Sequence, residues 1–151
     1  MARFIDLSAR RSRTPNRPRG LVAAQVAAAL LVATAGAIHL YLWFDYFHVV
    51  HVVGALFLVN AAIGLGLGAA LLVRPDALVL LAAAGYALGT LAAFVVSTRW
   101  GLFGYRETFW GSWQEAAAGV ELAAIFAMAL ARRGWPAPGV APARPAPRRW
   151  G

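Results

Sequence analysis

The chain has 151 residues, of which 61% are hydrophobic and only 13% charged, with a formal net charge of +8. That balance lies outside ordinary soluble composition and makes the bilayer the expected solvent of a single domain. The absence of cysteine excludes disulfides, thiolate metal sites and cysteine nucleophiles.

Residues 1–19 hold Arg3, Arg10, Arg11, Arg13, Arg17 and Arg19 among prolines. Such a stretch is too charged and too broken to pack, and reads as a basic, disordered cytoplasmic leader. A four-helix membrane domain is expected over 20–132. Its first apolar run extends from Leu21 to Trp43, long enough for a hydrocarbon core that takes about 20 helical residues. A rival reading makes this run a cleaved signal peptide with a small-residue site at Ala35-Gly36-Ala37. Against it, Ile38, Leu40 and Leu42 carry the apolar character past the site and complete a full span.

The second run extends from Val49 to Val73 and the third from Ala77 to Thr98. Between them Arg74, Pro75 and Asp76 make a compact break, because Pro75 cannot continue a helix and Asp76 can cap the next one. Asn60, Gly64 and Gly68 recur at four-residue spacing on the second run, and Gly85 and Gly89 do so on the third. Small residues let membrane helices approach closely, so these glycines are expected to form the faces on which the two helices pack.

The connection Arg99 to Ser112 exceeds a minimal turn and is rich in aromatics and glycine, as an interfacial cap between helices 3 and 4 would be. Eleven of the eighteen aromatics fall between Trp100 and Trp113 and around Tyr41 to Phe47, which places an aromatic belt at one face of the membrane. The fourth run, Trp113 to Ala131, follows Ser112-Trp-Gln-Glu115, a capping-box pattern that gives Glu115 a structural role. Residues 133–151 alternate proline with alanine and arginine, and read as a disordered, extended cytoplasmic tail. Pro142-Ala-Arg-Pro145 matches a PxxP ligand pattern that such composition produces easily.

Arginine sets the expected orientation. Twelve of fourteen arginines fall on one side if the spans number four, leaving Arg99 and Arg106 for the other. The expectation is therefore an all-α, antiparallel bundle of four transmembrane helices in the plasma membrane, with both termini cytoplasmic. Basic residues at span ends orient the chain and attract anionic lipid, which accounts for them without nucleic acid.

Two sets of polar residues are candidate sites. His39, His48 and His51 lie within thirteen residues, the last two three apart and so on one face if helical. Such a set can hold copper or zinc, or sandwich a haem between facing helices, although it lacks cysteine, a nearby methionine and any recognised spacing. Glu121 lies about eight residues inside the last run, where an unpaired carboxylate costs several kcal/mol. It requires a partner or a proton, and His39, Asn60, Arg99, Arg106 and Glu107 are the members available for a buried polar cluster.

The segments Gly36-Ala-Ile-His39-Leu-Tyr-Leu-Trp43, Gly54-Ala-Leu-Phe-Leu, Gly101-Leu-Phe-Gly-Tyr-Arg-Glu107 and Val120-Glu121 resemble a group of small four-span membrane proteins of high-GC actinobacteria. An arginine- and alanine-rich, lysine-free composition is in keeping with such a bacterial source. The resemblance covers about residues 20–132 through short motifs. It draws attention to His39, Arg106, Glu107 and Glu121, departs from the group at His48 and His51, and transfers no activity.

Three functions remain. The first is a structural or accessory membrane subunit, contacting a partner protein or further copies, whose polar cluster fixes helix packing. The second is a metal- or haem-binding redox protein using the histidines. The third is a small oligomeric transporter or proton relay using Glu121. An enzyme is the weaker expectation, since Ser97, Ser112, His39 and Asp45 occur without a nucleophile elbow, metalloprotease motif or phosphate loop.

Overall fold

A computed structural model describes residues 19–108 and 111–133. Four helices make up the described chain: α1 (Arg19–Asp45), α2 (Val53–Val73), α3 (Ala77–Arg99) and α4 (Ser112–Arg132), with a 3-10 turn at Phe47–Val49. All four are long and apolar enough to cross a membrane, the shortest having 21 residues. At about 1.5 Å per residue that length matches a hydrocarbon core of roughly 30 Å. Leu30, Leu72, Leu81 and Phe126 are exposed, one from each helix. Such outward apolar surface suits lipid rather than water. The basic leader before Arg19, the proline-rich tail with its PxxP match, and Phe109 and Trp110 of the aromatic belt lie outside the described residues.

α1 is the central helix, packing along α2 and α4. Its small residues make this possible. A Cβ on Gly36 would lie 2.8 Å from Leu65 N and 3.0 Å from Ala61 O, so backbone meets backbone there. One turn and a half back, Gly68 sits against Ala29 and Ala33, and Gln25 Nε2 donates to Leu71 O at 2.9 Å. α1 runs unbroken through 35–37, with Ala35 and Gly36 both buried.

The expected glycine pairing between the second and third helices is not the one formed. Gly64 and Gly68 approach α1, while Gly85 and Gly89 have no heavy atom within 4 Å of an added Cβ. The four-residue spacing identified close-approach positions on α2, but periodicity carries no information about which neighbour each face meets.

Two helix starts also differ from the sequence reading. α2 begins at Val53, because the chain first makes the 3-10 turn and then passes through Val52 at φ 62, a left-handed conformation that β-branched residues rarely adopt. Gly54 packs directly beneath the Phe47 carbonyl, which keeps the turn folded onto the helix start. α4 is capped from Gly111: its N–H donates to Gln114 Oε1 at 3.2 Å, so Gln114 reaches back instead of Glu115. The Asp76 cap forms as expected, accepting from Val79 N at 2.9 Å.

The close-packed core gathers Ala28, Ala29, Val32 and Ala35 of α1 with Leu71, Leu80, Ala83, Ala87, Ala124 and Met128. These residues cluster toward the end of the bundle that holds the α2–α3 turn. At the other end the helices leave space.

Candidate functional site

That space is a cavity of about 620 Å³ that opens between α2 and α3, where Leu56, Ile63, Gly85 and Gly89 are exposed. α2 contributes Leu56, Phe57, Asn60 and Ile63, and α3 contributes Gly85, Tyr86, Gly89, Thr90 and Phe94. His39 and Leu42 of α1 line it together with Gln114, Ala117, Ala118 and Glu121 of α4, and Leu102, Tyr105 and Glu107 line its loop end. Gly85 and Gly89 therefore shape a void, where side chains would have filled it.

Glu121 stands where this cavity meets the core. The preceding turn of α4 presents Ala117 and Ala118 to the cavity, and the following turns bury Ala124, Ala127 and Met128. Its side chain is 2% exposed, and Oε1 has no hydrogen-bond partner among the described residues. Tyr86 Oη, on a residue 9% exposed, is in the same condition. The two groups are electrostatic neighbours and line one cavity. Gly64 makes room for the phenol, since a Cβ there would lie 2.5 Å from Tyr86 Oη and 2.8 Å from Gly36 Cα. Two unpaired buried polar atoms in one place are uncommon, because each forfeits about 1–3 kcal/mol of solvation.

His39 is buried, and its Nδ1 lies 2.8 Å from Ala35 O. A carbonyl oxygen only accepts, so Nδ1 carries the hydrogen and the neutral ring keeps Nε2 as an acceptor. The ring rests on Phe57 at 5.2 Å, Phe57 stacks on Phe47 at 3.9 Å, and Phe47 meets Tyr105 edge-on at 5.5 Å. An aromatic column thus joins the cavity wall to the connecting loop.

The loop is a tight cap. Leu102 and Tyr105 exchange backbone hydrogen bonds of 2.6 and 2.9 Å around Phe103 and Gly104, both at positive φ. Glu107 N donates to Ser97 O at 3.3 Å, and Arg106 Nε donates to Thr98 O at 3.4 Å, which folds the loop back onto the end of α3. Tyr105 Oη donates to Glu107 Oε2 at 3.2 Å. Burial, with the Glu107 carboxylate as the next cause, pushes the Tyr105 phenol up to about 12.

The chain matches no family model, no curated protein and no solved structure. What the site can do rests on its own geometry.

Of the expected polar cluster, His39, Asn60, Glu107 and Glu121 line the cavity, whereas Arg99 and Arg106 are exposed and stay outside it. The three histidines do not converge. His48 and His51 are exposed and precede α2, so the shared helical face on which their pairing depended is not formed. His48 Nδ1 instead bonds Trp43 O at 3.1 Å. Among the described residues no three side chains of the His, Asp and Glu type are grouped to hold a metal, and His39 has no facing histidine with which to sandwich a haem. Ser97 shares the cavity with His39, whereas Asp45 and Ser112 do not line it.

Sequence reasoning passed over Tyr86, Phe57 and Gln114. Tyr86 had a usable signal: a phenol in the middle of an apolar span needs a hydrogen-bond partner for the same reason a carboxyl does. Phe57 and Gln114 gave none, since an aromatic in a span and a polar residue near a helix start are ordinary.

Proposed function

We propose that this chain is an integral membrane protein that binds a small, largely apolar molecule in the cavity between α2, α3 and α4, with Glu121 at its polar end. The observation that carries the proposal is that Glu121 and Tyr86, each with a buried oxygen that has no hydrogen-bond partner among the described residues, both line a cavity of about 620 Å³. Ligand sites fall in the range of about 300–1,000 Å³ and combine apolar walls with a few convergent polar groups, which is the composition found here. An interhelical hydrogen bond, the packing role first expected of Glu121, requires a partner that Oε1 lacks among the described residues. The volume is also small for a docked transmembrane helix, which favours a compact ligand over a partner subunit.

In the membrane, the four helices form an antiparallel bundle with both termini in the cytoplasm and the Leu102–Glu107 cap on the outer face of the plasma membrane. The order of contacts supports the antiparallel run of α1 and α2, since stepping from Gly36 back to Gln25 advances the contact on α2 from Ala61 to Leu71. Arginines at the termini favour the orientation and an association with anionic lipid.

Filling the void tests the binding role. Gly85→Leu/Gly89→Leu places side chains into space that contains no neighbouring atom. Organic extracts of wild-type protein purified in mild detergent should contain a small molecule that extracts of the folded variant lack, as read by mass spectrometry. Identical extracts from the two proteins would remove the proposal.

A further inference from the structure

Several polar side chains along the cavity wall are bonded to the protein itself. Thr90 Oγ1 donates to Tyr86 O at 2.6 Å, His39 Nδ1 to Ala35 O at 2.8 Å and Tyr105 Oη to Glu107 Oε2 at 3.2 Å, while Gln114 Oε1 accepts from Gly111 N at 3.2 Å. Glu121 Oε1 and Tyr86 Oη, the two oxygens without a partner, are shut off from solvent. Leu56, Phe57, Ile63, Leu67 and Phe94 line the rest of the wall, which offers an occupant mainly apolar surface. Recognition here is then a matter of shape.

The shape is long and narrow. From Val53 to Leu67 on α2 and from Ala82 to Ser97 on α3, the lining runs about 20 Å along the helices at about 1.5 Å per residue. A volume of about 620 Å³ over that length leaves a mean section of about 30 Å². Hydrocarbon chains in contact lie about 4.5 Å apart, so one chain takes a section of about 20 Å² and two take more than the groove has. A transmembrane helix, about 10 Å across, needs a section of about 80 Å². The mouth between α2 and α3 includes Ile63 and Gly89, near the midpoints of the two helices, so it opens at the level of the hydrocarbon core and not at the water interface. From there to Ser97, Leu102 and Tyr105 the groove follows the span through about one leaflet, half of a core of roughly 30 Å. We infer that the cavity holds one acyl chain of a phospholipid from the leaflet beside the Leu102–Glu107 cap. The chain slides in sideways between α2 and α3 and leaves its headgroup at the interface. A free molecule can use any entrance, whereas a lipid tethered by its headgroup needs this lateral slot. This assignment rests on the binding role proposed above and narrows it to one ligand class.

Photoreactive probes distinguish the occupants. The full chain is placed in phosphatidylcholine nanodiscs that contain phosphatidylcholine with a diazirine on one chain, a free fatty acid with the same diazirine, or adamantyl diazirine as a compact apolar probe. Adducts formed on illumination are located by fragmentation mass spectrometry. The lipid should label Ala117 and Ala118 on the α4 wall of the cavity. Gly85→Leu/Gly89→Leu should lose these adducts and keep those at Phe126, which is exposed to the bilayer. Labelling of the two alanines by adamantyl diazirine or by the free acid, but not by the lipid, would overturn the assignment and leave the binding role intact. Lipid labelling that the folded variant retains would also overturn it. No labelling of the two alanines by any probe would overturn both, and dimeric protein in those nanodiscs would identify a second copy as the cover. Should the variant not fold, the wild type decides alone, and absence of lipid adducts at Ala117 and Ala118 rejects the chain.

Discussion

Glu121 is a residue whose position works against stability. Its carboxyl is buried, and Oε1 has no partner among the described residues, so the fold bears the desolvation of a polar group without the return of a hydrogen bond. Replacing such a group by an apolar one of similar shape removes that cost. Glu121→Met is therefore expected to stabilise the bundle by about 1–3 kcal/mol, measured by unfolding in mixed SDS and mild-detergent micelles. A loss of similar size would mean that the carboxyl is paired in the membrane, and would return it to a packing role. The sequence marked Glu121 because a carboxyl inside an apolar run is conspicuous on any reading. Tyr86 is equally unpaired yet was passed over, because tyrosine is common at membrane interfaces and its depth becomes meaningful only beside a cavity. The cavity itself is a gap between elements. No residue encodes it singly, and Gly85 and Gly89 read as packing positions until the structure showed nothing opposite them.

At the scale of elements, glycine has two opposite roles, and substitution separates them. Gly64 lies against Gly36 Cα and Tyr86 Oη, and an added methyl has no room without backbone movement. Gly64→Ala should cost about 1–3 kcal/mol by overpacking. Gly89→Ala meets no atom and exchanges a poor helix former for the best one, so it should gain about 0.5–1 kcal/mol. Thermal unfolding of the two variants in the same detergent checks both signs, and equal effects would deny that the faces differ. Helix existence was legible because four long apolar runs admit little else. Helix starts were less so: hydropathy continues through His48 to Val52, and only the backbone shows the 3-10 turn and the positive φ that hold α2 back to Val53. The cap between α3 and α4 was legible as a compact segment from its glycines and aromatics, but not the Tyr105–Glu107 bond within it. Burial of Tyr105, with the Glu107 carboxylate as the next cause, gives the cap a signature in alkali. The Tyr105 phenol is raised from 10.0 to about 12, so its neutral form is favoured in the folded cap. The stabilisation is complete below pH 10.0 and is lost as pH climbs toward about 12. Amide exchange of the Leu102–Glu107 segment should accelerate across that window in the wild type, and Tyr105→Phe should flatten the dependence. An unchanged profile in the variant would assign the alkaline loosening to another group.

For the whole molecule, the close-packed core and the cavity occupy opposite ends of one bundle, and orientation decides which side of the membrane each end meets. Among the described residues Arg19, Arg74, Arg132 and Arg133 lie at the core end, and Arg99 and Arg106 at the cavity end. The excess of arginine at the core end favours cytoplasm there, and in the proposed orientation the Leu102–Glu107 cap and the loop end of the cavity would face the exterior. The chain contains no cysteine, so single introduced thiols report sidedness without background. Phe103 is 64% exposed at the tip of the cap, and Arg133 is exposed just beyond α4. Phe103→Cys should react with a membrane-impermeant maleimide in intact cells, whereas Arg133→Cys should react only after the membrane is permeabilised. The reverse pattern would turn the bundle over and set the loop end of the cavity toward the cytoplasm. A ligand would then reach Glu121 from the cytoplasmic leaflet, and the acids at the cavity end would stand on the side where arginine normally gathers. Labelling of both sites in intact cells would break the four-span topology itself, since the single crossing made by α4 separates Phe103 from Arg133.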